Sequence, residues 1–424
     1  MKVEGYPHRW NMLEDWHEHV KFDGASRPDV GYVIRKKGFD QQIAIPYPPP
    51  YITACPIPYP LYSPQVPRYP FAGNIAERLT PTPRAYQIKY ARPWSFPHTL
   101  FETTDRSVSL RVFVIDPEYN EPEISKLGVV RGYQNIDGDE LWYVYRGNGV
   151  CTTELGTLLY EAGDYLYIPR GFSYELCADL KSKEHVDTDR TILIGIESRK
   201  QLLRPSSIVH DVPYRLSDMR IPIPRTTNTF PITQHECENP YVLAVKRSHV
   251  WSVVAYSGNL LAHIGYSGSV YPFIINEKDI NVPVIDTLHT DPTLFTVFVT
   301  DDASVAVSVF RPRRVHSIPY HHDNIYDECM FLADDYIARD KSVAMGDMTF
   351  HPQGFCHGPQ PSALSMSHVE NHPEHNKWNC QRATMFESRT PLIPSRESLD
   401  IEIKNYWRSW IHGEINSVHT TEPV

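Results

Sequence analysis

From Thr99 onward, short apolar runs alternate with turn signals: Val108–Ile115, Glu140–Tyr145, Gly149–Thr153, Thr157–Tyr160 and Asp164–Ile168. Runs this short, bounded by Gly, Asp and Asn, predict antiparallel strands of a sandwich or barrel. After a connector rich in proline and arginine (203–231), runs resume at Tyr241–Val245, Ser252–Tyr256, Phe273–Ile275, Thr296–Thr300, Val305–Phe310 and Ala383–Glu387. The pattern predicts an all-β chain with one barrel over 99–215 and a second over 216–395. The ends differ from both. Within the segment 1–98, the run 43–70 is crowded with proline and tyrosine, which favours an extended arm lying on a surface, because proline cannot donate to a central strand. In the tail 396–424, Leu399, Ile403, Tyr406, Trp407 and Trp410 recur at helical spacing and predict one amphipathic helix.

Composition narrows the function classes. The 424 residues carry 51 acids against 41 bases, a formal charge of -10, and the densest basic cluster is Arg311–Arg314. That balance disfavours a nucleic-acid or anionic-membrane role. Seven cysteines without a CxxC pair suit free thiols in a reducing compartment. The N-terminus has no apolar signal core and no apolar run reaches membrane-spanning length, so a cytoplasmic protein is expected. The apolar arm and the aromatic tail make a homo-oligomer the expectation.

The chemistry concentrates between Val315 and Gln360. Read as a strand, 319–332 puts His322, Asn324, Tyr326 and Glu328 on one face, because side chains alternate with period two. Across a Gly346-Asp347 turn, a second strand carries His351, Phe355 and His357, and either histidine can close a set of two imidazoles and one carboxylate. Such a set, open on its far side, suits Fe(II), Mn(II) or Zn(II). His321 and Asp327 share the spacing of His322 and Glu328, and strand arithmetic does not choose between them.

Three motifs carry a family resemblance. Pro319-Tyr320-His321-His322-x-Asn324-x-x-x-Glu328, then His351-x5-His357-Gly358-Pro359, then Met385-Phe386-Glu387-Ser388 resemble the homogentisate 1,2-dioxygenases. The resemblance implies His322, Glu328 and His357 as ligands of one Fe(II) per chain, with His351 on the substrate side. It extends to His289-Thr290-Asp291-Pro292, where it implies His289 as the group that takes the substrate's phenolic proton; histidine has a suitable pKa for that role. Tyr336 is a further substrate-binding candidate. Departures from the family pattern are His321, Phe331 and Gln360, in place of Tyr, Gly and Asp.

Earlier in the chain, Asp137–Tyr145, Gly147-Asn148-Gly149, Gly163-Asp164 and Ile168-Pro169-Arg170-Gly171 resemble a cupin barrel that lacks its histidines. This resemblance implies two cupin barrels, the first metal-free, with Glu140 a hydrogen-bonded structural acid. The implied activity is cleavage of homogentisate by O2 to maleylacetoacetate, in aromatic amino acid catabolism. The alternatives are a related para-diol such as gentisate or hydroquinone, or a metal-binding cupin without oxygen chemistry.

Overall fold

The computed structural model describes residues 82–93, 96–116, 130–178, 190–203, 214, 216–223, 241–256, 261, 270–280, 296–314, 322–323, 325–334, 339, 342–355, 357–358, 360, 378–379 and 381–409. His289, Tyr336, His321, the proline-rich arm and the histidine-bearing run 367–377 lie outside them. The chain divides into two compact units, one comprising 90–203 and 214–281, the other 1–89, 204–213 and 282–424.

The first unit holds two sheets of antiparallel strands with one parallel pairing. One sheet orders Phe273–Asn276, Asp164–Ile168, Asp139–Arg146, Thr191–Ser198, Val108–Ile115 and His98–Thr103. The other orders Val250–Tyr256, Tyr241–Arg247, Val130–Asn135, Ser173–Ala178, Gly149–Thr153 and Gly156–Tyr160, with Tyr241–Arg247 parallel to Val130–Asn135. Thr191–Ser198 is buried throughout, and its centre, Ile192–Ile196, accordingly carries no polar side chain. Gly156–Tyr160, at a sheet edge, alternates instead and leaves Leu159 exposed. Trp142, Tyr160, Tyr174, Phe113 and Leu193 belong to the core of this unit.

This corrects the expected boundary at residue 216. The strands 241–247, 250–256 and 273–276 complete the first unit's sheets, and Lys246 reaches Glu197 with its Nζ 2.5 Å from Oε2, so the unit runs to Asn281.

In the second unit a sheet orders Arg84–Tyr86, Met348–His351, Asp327–Leu332, Ala383–Ser388, Val305–Phe310 and Thr296–Thr300. The last four of these strands are buried on both faces. The C-terminal helix is shorter than its apolar spacing predicts. Ser395 caps Arg396–Asp400 by accepting from the Ser398 amide, and the helix stops there. Beyond it, the backbone pairs with the strand at 84–86: the Gln87 amide donates to Ile401 O and the Ile403 amide to Ala85 O, both at 2.8 Å. Those bonds use the groups a longer helix would need. Asn405, at φ 59°, then turns the chain into a single 3-10 turn at Tyr406–Arg408. Trp410 lies outside the described residues.

Candidate metal centre

Glu328 sits in the middle of the site because its strand does. In the Asp327–Leu332 strand it is paired with His351 on one neighbour and with Glu387 on the other. Residues in register across adjacent strands bring their side chains to one face, so the pairing delivers a carboxylate between an imidazole and a second carboxylate.

His357 arrives by a different route. The strand carrying His351 ends there, and Pro352–Phe355 makes a tight turn closed by the Phe355 amide on Pro352 O at 3.2 Å. Gly354 holds φ 72° in that turn, a left-handed conformation open to glycine. The chain doubles back, and the His357 ring stacks on His351 with centroids 4.1 Å apart and 13° between planes. The expected second strand through Phe355 and His357 is therefore corrected to a strand and a turn.

The first expected strand is corrected too. His322 and Asp323 precede the strand, and Asp323 Oδ1 accepts from the amides of Ile325 at 2.7 Å and Tyr326 at 3.1 Å. A side chain that binds amides two and three residues ahead makes a turn and interrupts the ladder. Period-two alternation therefore does not connect His322 to Glu328. His322 is buried, as are Glu328, His351 and His357.

Among the described residues, two groups of side chains offer ligand atoms within 4.8 Å of one another: Glu328 with His351 and His357, and Glu328 with Asp323 and Glu387. His357 Nε2 stands 3.2 Å from Glu328 Oε2. Its Nδ1 lies 3.1 Å from the carbonyl of Phe355, which can only accept, so Nδ1 carries the proton. Nε2 then faces a carboxylate oxygen with its lone pair, and the gap calls for a cation, either a proton or a metal. An outward imidazole N–H on a backbone carbonyl is also how a ligand histidine is held in register. His351 Nδ1 is buried, lies 3.5 Å from the same carboxylate oxygen, and makes no hydrogen bond. Imidazole and carboxylate donors with no thiolate fit Fe(II), Mn(II) or Zn(II).

Burial opposes charge on Glu328, but the neighbouring His351 and His357 outweigh it and hold the carboxyl well below the usual range. Burial, with the Arg339 charge, pushes His351 well below its ordinary value and keeps it neutral. Asp327, next to Glu328, is raised to about 6, chiefly by burial. Its oxygens accept from the amides of Gln353 at 2.8 Å and Leu392 at 2.6 Å, which ties the start of the strand to the His357 turn.

The first unit repeats this frame with different side chains. Asp139 accepts from the amides of Arg170 at 3.0 Å and Leu202 at 3.2 Å, as Asp327 does from Gln353 and Leu392. Pro169-Arg170-Gly171-Phe172 makes the same turn as Pro352-Gln353-Gly354-Phe355: the Phe172 amide closes on Pro169 O at 3.2 Å, with Gly171 at φ 86°. Register places Glu140 opposite Glu197 as Glu328 is opposite Glu387, and puts Arg111 where Ser308 stands. Arg111, wholly buried, ion-pairs with Glu140 and lies 3.3 Å from Glu197, while Tyr174 donates to Glu140 at 3.0 Å. A fixed guanidinium thus serves the paired acids of the first unit. In the second, Ser308 donates to Glu387 at 3.1 Å and supplies no charge.

Residues 278–416 match the family model described as homogentisate 1,2-dioxygenase C-terminal. The chain resembles the homogentisate 1,2-dioxygenases. Homogentisate 1,2-dioxygenase of Pseudomonas putida is 25% identical over 289 residues, covering 64% of this chain and 62% of that enzyme. A Saccharolobus solfataricus protein named as a dioxygenase is 28% identical over 283 residues, 66% of this chain and 70% of its own. By this likeness the chain groups with dioxygenases. Among solved structures, a cupin 2 conserved barrel domain protein from Leptotrichia buccalis aligns over 72% of this chain and 95% of its own, at 10% identity and a TM-score of 0.31.

Sequence reading reached Glu328, His351 and His357 but gave no site role to Asp323, Glu387 or Arg339, while His322, its other expected ligand, is buried and belongs to neither group. Arg339 is buried and bonds both Gly358 O and His351, each at 3.1 Å. A signal for Glu387 was available: it lies in the Met385-Phe386-Glu387-Ser388 motif, and its Glu-Ser pair recurs at 197–198.

Proposed function

We propose that the chain is an Fe(II)-dependent dioxygenase that cleaves the ring of homogentisate with O2, giving maleylacetoacetate. The observation that carries it is the His357 lone pair and the Glu328 carboxylate facing each other at 3.2 Å in a buried site, a gap that only a cation satisfies. The resemblance to the homogentisate 1,2-dioxygenases selects the reaction class.

In this reading His322, Glu328 and His357 hold one iron. Bound there, Fe(II) supplies open positions at which a chelating diol and O2 can meet and exchange electron density. The protein's own part is positional and electrostatic. Glu328, kept ionised by its histidine neighbours, balances the metal's charge. The turn at Pro352–Phe355 fixes the His357 ring through Nδ1. His351, stacked on His357, lines the substrate side. His289 takes the phenolic proton and Tyr336 binds the substrate. The enzyme works as a cytoplasmic homo-oligomer.

The test is anaerobic loading with Fe(II), addition of homogentisate, gentisate or hydroquinone in parallel, and admission of O2. Oxygen uptake with homogentisate and the absorbance of a ring-opened product are expected. Uptake with another diol alone moves the substrate, and uptake with none defeats the dioxygenase reading.

A further inference from the structure

His351 and His357 lie side by side against the same oxygen of Glu328, yet their hydrogen bonds commit them to opposite tautomers. His357 gives its Nδ1 proton to Phe355 O at 3.1 Å and turns Nε2 toward the carboxylate. His351 turns Nδ1 toward it, and its Nε2 is 3.1 Å from Nη2 of Arg339. A guanidinium can only donate, so Nε2 of His351 must accept. The one proton left to His351 is then on Nδ1, 3.5 Å from Glu328 Oε2.

A metal on His351 Nδ1 would require the proton to move to Nε2, where it would meet the Arg339 N–H donor against donor. Arg339 is not free to yield. It is buried, and its other terminal nitrogen donates to Gly358 O at 3.1 Å, one residue past His357. The same side chain thus spans the backbone beside one histidine and the outer nitrogen of the other.

We propose that Arg339 is a positioning residue that keeps His351 off the metal and turns its Nδ1–H toward Glu328. This rests on the site being a metal centre, though not on its oxygen chemistry. Arg339 distinguishes two neighbouring imidazoles that distance alone leaves equivalent as ligands. It leaves one a ligand and makes the other a donor aimed at the Glu328 oxygen and at whatever binds over it.

Cobalt(II), whose visible absorption reports the number and kind of donors, is the probe. Wild-type protein, His351→Phe, Arg339→Met and the double variant are loaded with one equivalent each. His351→Phe is expected to keep the wild-type bands, since it removes no ligand. Arg339→Met is expected to shift and intensify them as His351 enters, and the double variant to return them to the wild-type pattern. A changed spectrum in His351→Phe alone, or an unchanged one in folded Arg339→Met, overturns the proposal.

A second measurement needs no change at Arg339. In Zn(II)-loaded, histidine-labelled wild-type protein, two-bond nitrogen-15 correlations assigned with His351→Phe should show Nδ1 protonated and Nε2 bare. A proton on Nε2 of His351 overturns the proposal even if Arg339→Met fails to fold. Neither readout uses oxygen, so a failed oxygen-uptake assay leaves this result standing. A chain that binds no cobalt defeats the metal reading itself.

Discussion

Tyr174 donates to Glu140 at 3.0 Å in the first unit where, in the second, His357 Nε2 stands 3.2 Å from Glu328. The same backbone frame therefore presents a hydroxyl donor in one unit and an imidazole in the other. The difference decides what balances the acid. In the first unit it is Arg111, built into the chain. In the second, two histidines and further carboxylates converge on Glu328 and a neutral Ser308 stands at the corresponding place, an arrangement suited to a bound cation.

Glu328→Gln should remove the metal and the activity together. Replacing the carboxylate by an amide keeps the volume and deletes the charge that faces His357. Metal content after dialysis should fall from about one equivalent to near zero while the fold, read by circular dichroism, persists. Full metal retention would move the centre away from Glu328.

Glu140→Gln should destabilise the first unit without changing metal content. It leaves Arg111 buried beside half its counter-charge, and breaking a buried ion pair on one side costs about 3–5 kcal/mol. Glu197 remains near Arg111, so the lower end of that range is expected. Denaturant unfolding measures the first effect and metal analysis the second.

The first unit should weaken in acid through Glu197. Burial opposes its charge, but Arg111 and Lys246 override this and hold its pKa below the ordinary 4.5. A depressed folded value means the ionised form stabilises the fold: the contribution is complete above about 4.5 and disappears as pH falls through the folded value. Lys246 does not share the gain, because its own burial and the Arg111 charge lower its pKa despite the bond to Glu197. Glu197→Gln should lower stability at neutral pH and flatten its slope below pH 4.5, as measured by unfolding at a series of pH values.

Gly354→Ala should loosen the His357 turn. Nothing lies within 4 Å of the added Cβ, so the cost is the backbone conformation alone, at φ 72°. A left-handed residue with a Cβ costs about 1–2 kcal/mol. Asn, which tolerates this conformation better, should cost less than Ala, and metal affinity should fall in the same order. Equal effects of Ala and Asn on stability would mean that crowding, not backbone strain, sets the cost.

The sequence by itself determined these strands, because a strand buried on both faces must be rich in apolar residues, and Val108–Ile115, Val305–Phe310 and Thr296–Thr300 read as such with their observed bounds. It also brought out Glu328, His351 and His357, whose residue types and crowding are unusual enough to stand out without a fold. Tertiary structure decided the rest. Alternation could not carry His322 to Glu328, since Asp323 spends its carboxylate on two backbone amides and ends the ladder. Spacing could not reveal Glu387, whose partnership with Glu328 exists only because their strands, far apart in sequence, lie side by side. Nor could it rank His351 against His357, for that depends on which nitrogen meets Arg339 and which meets Phe355 O. Local periodicity records which faces are buried; register, turns and hydrogen-bond direction depend on contacts between distant parts of the chain.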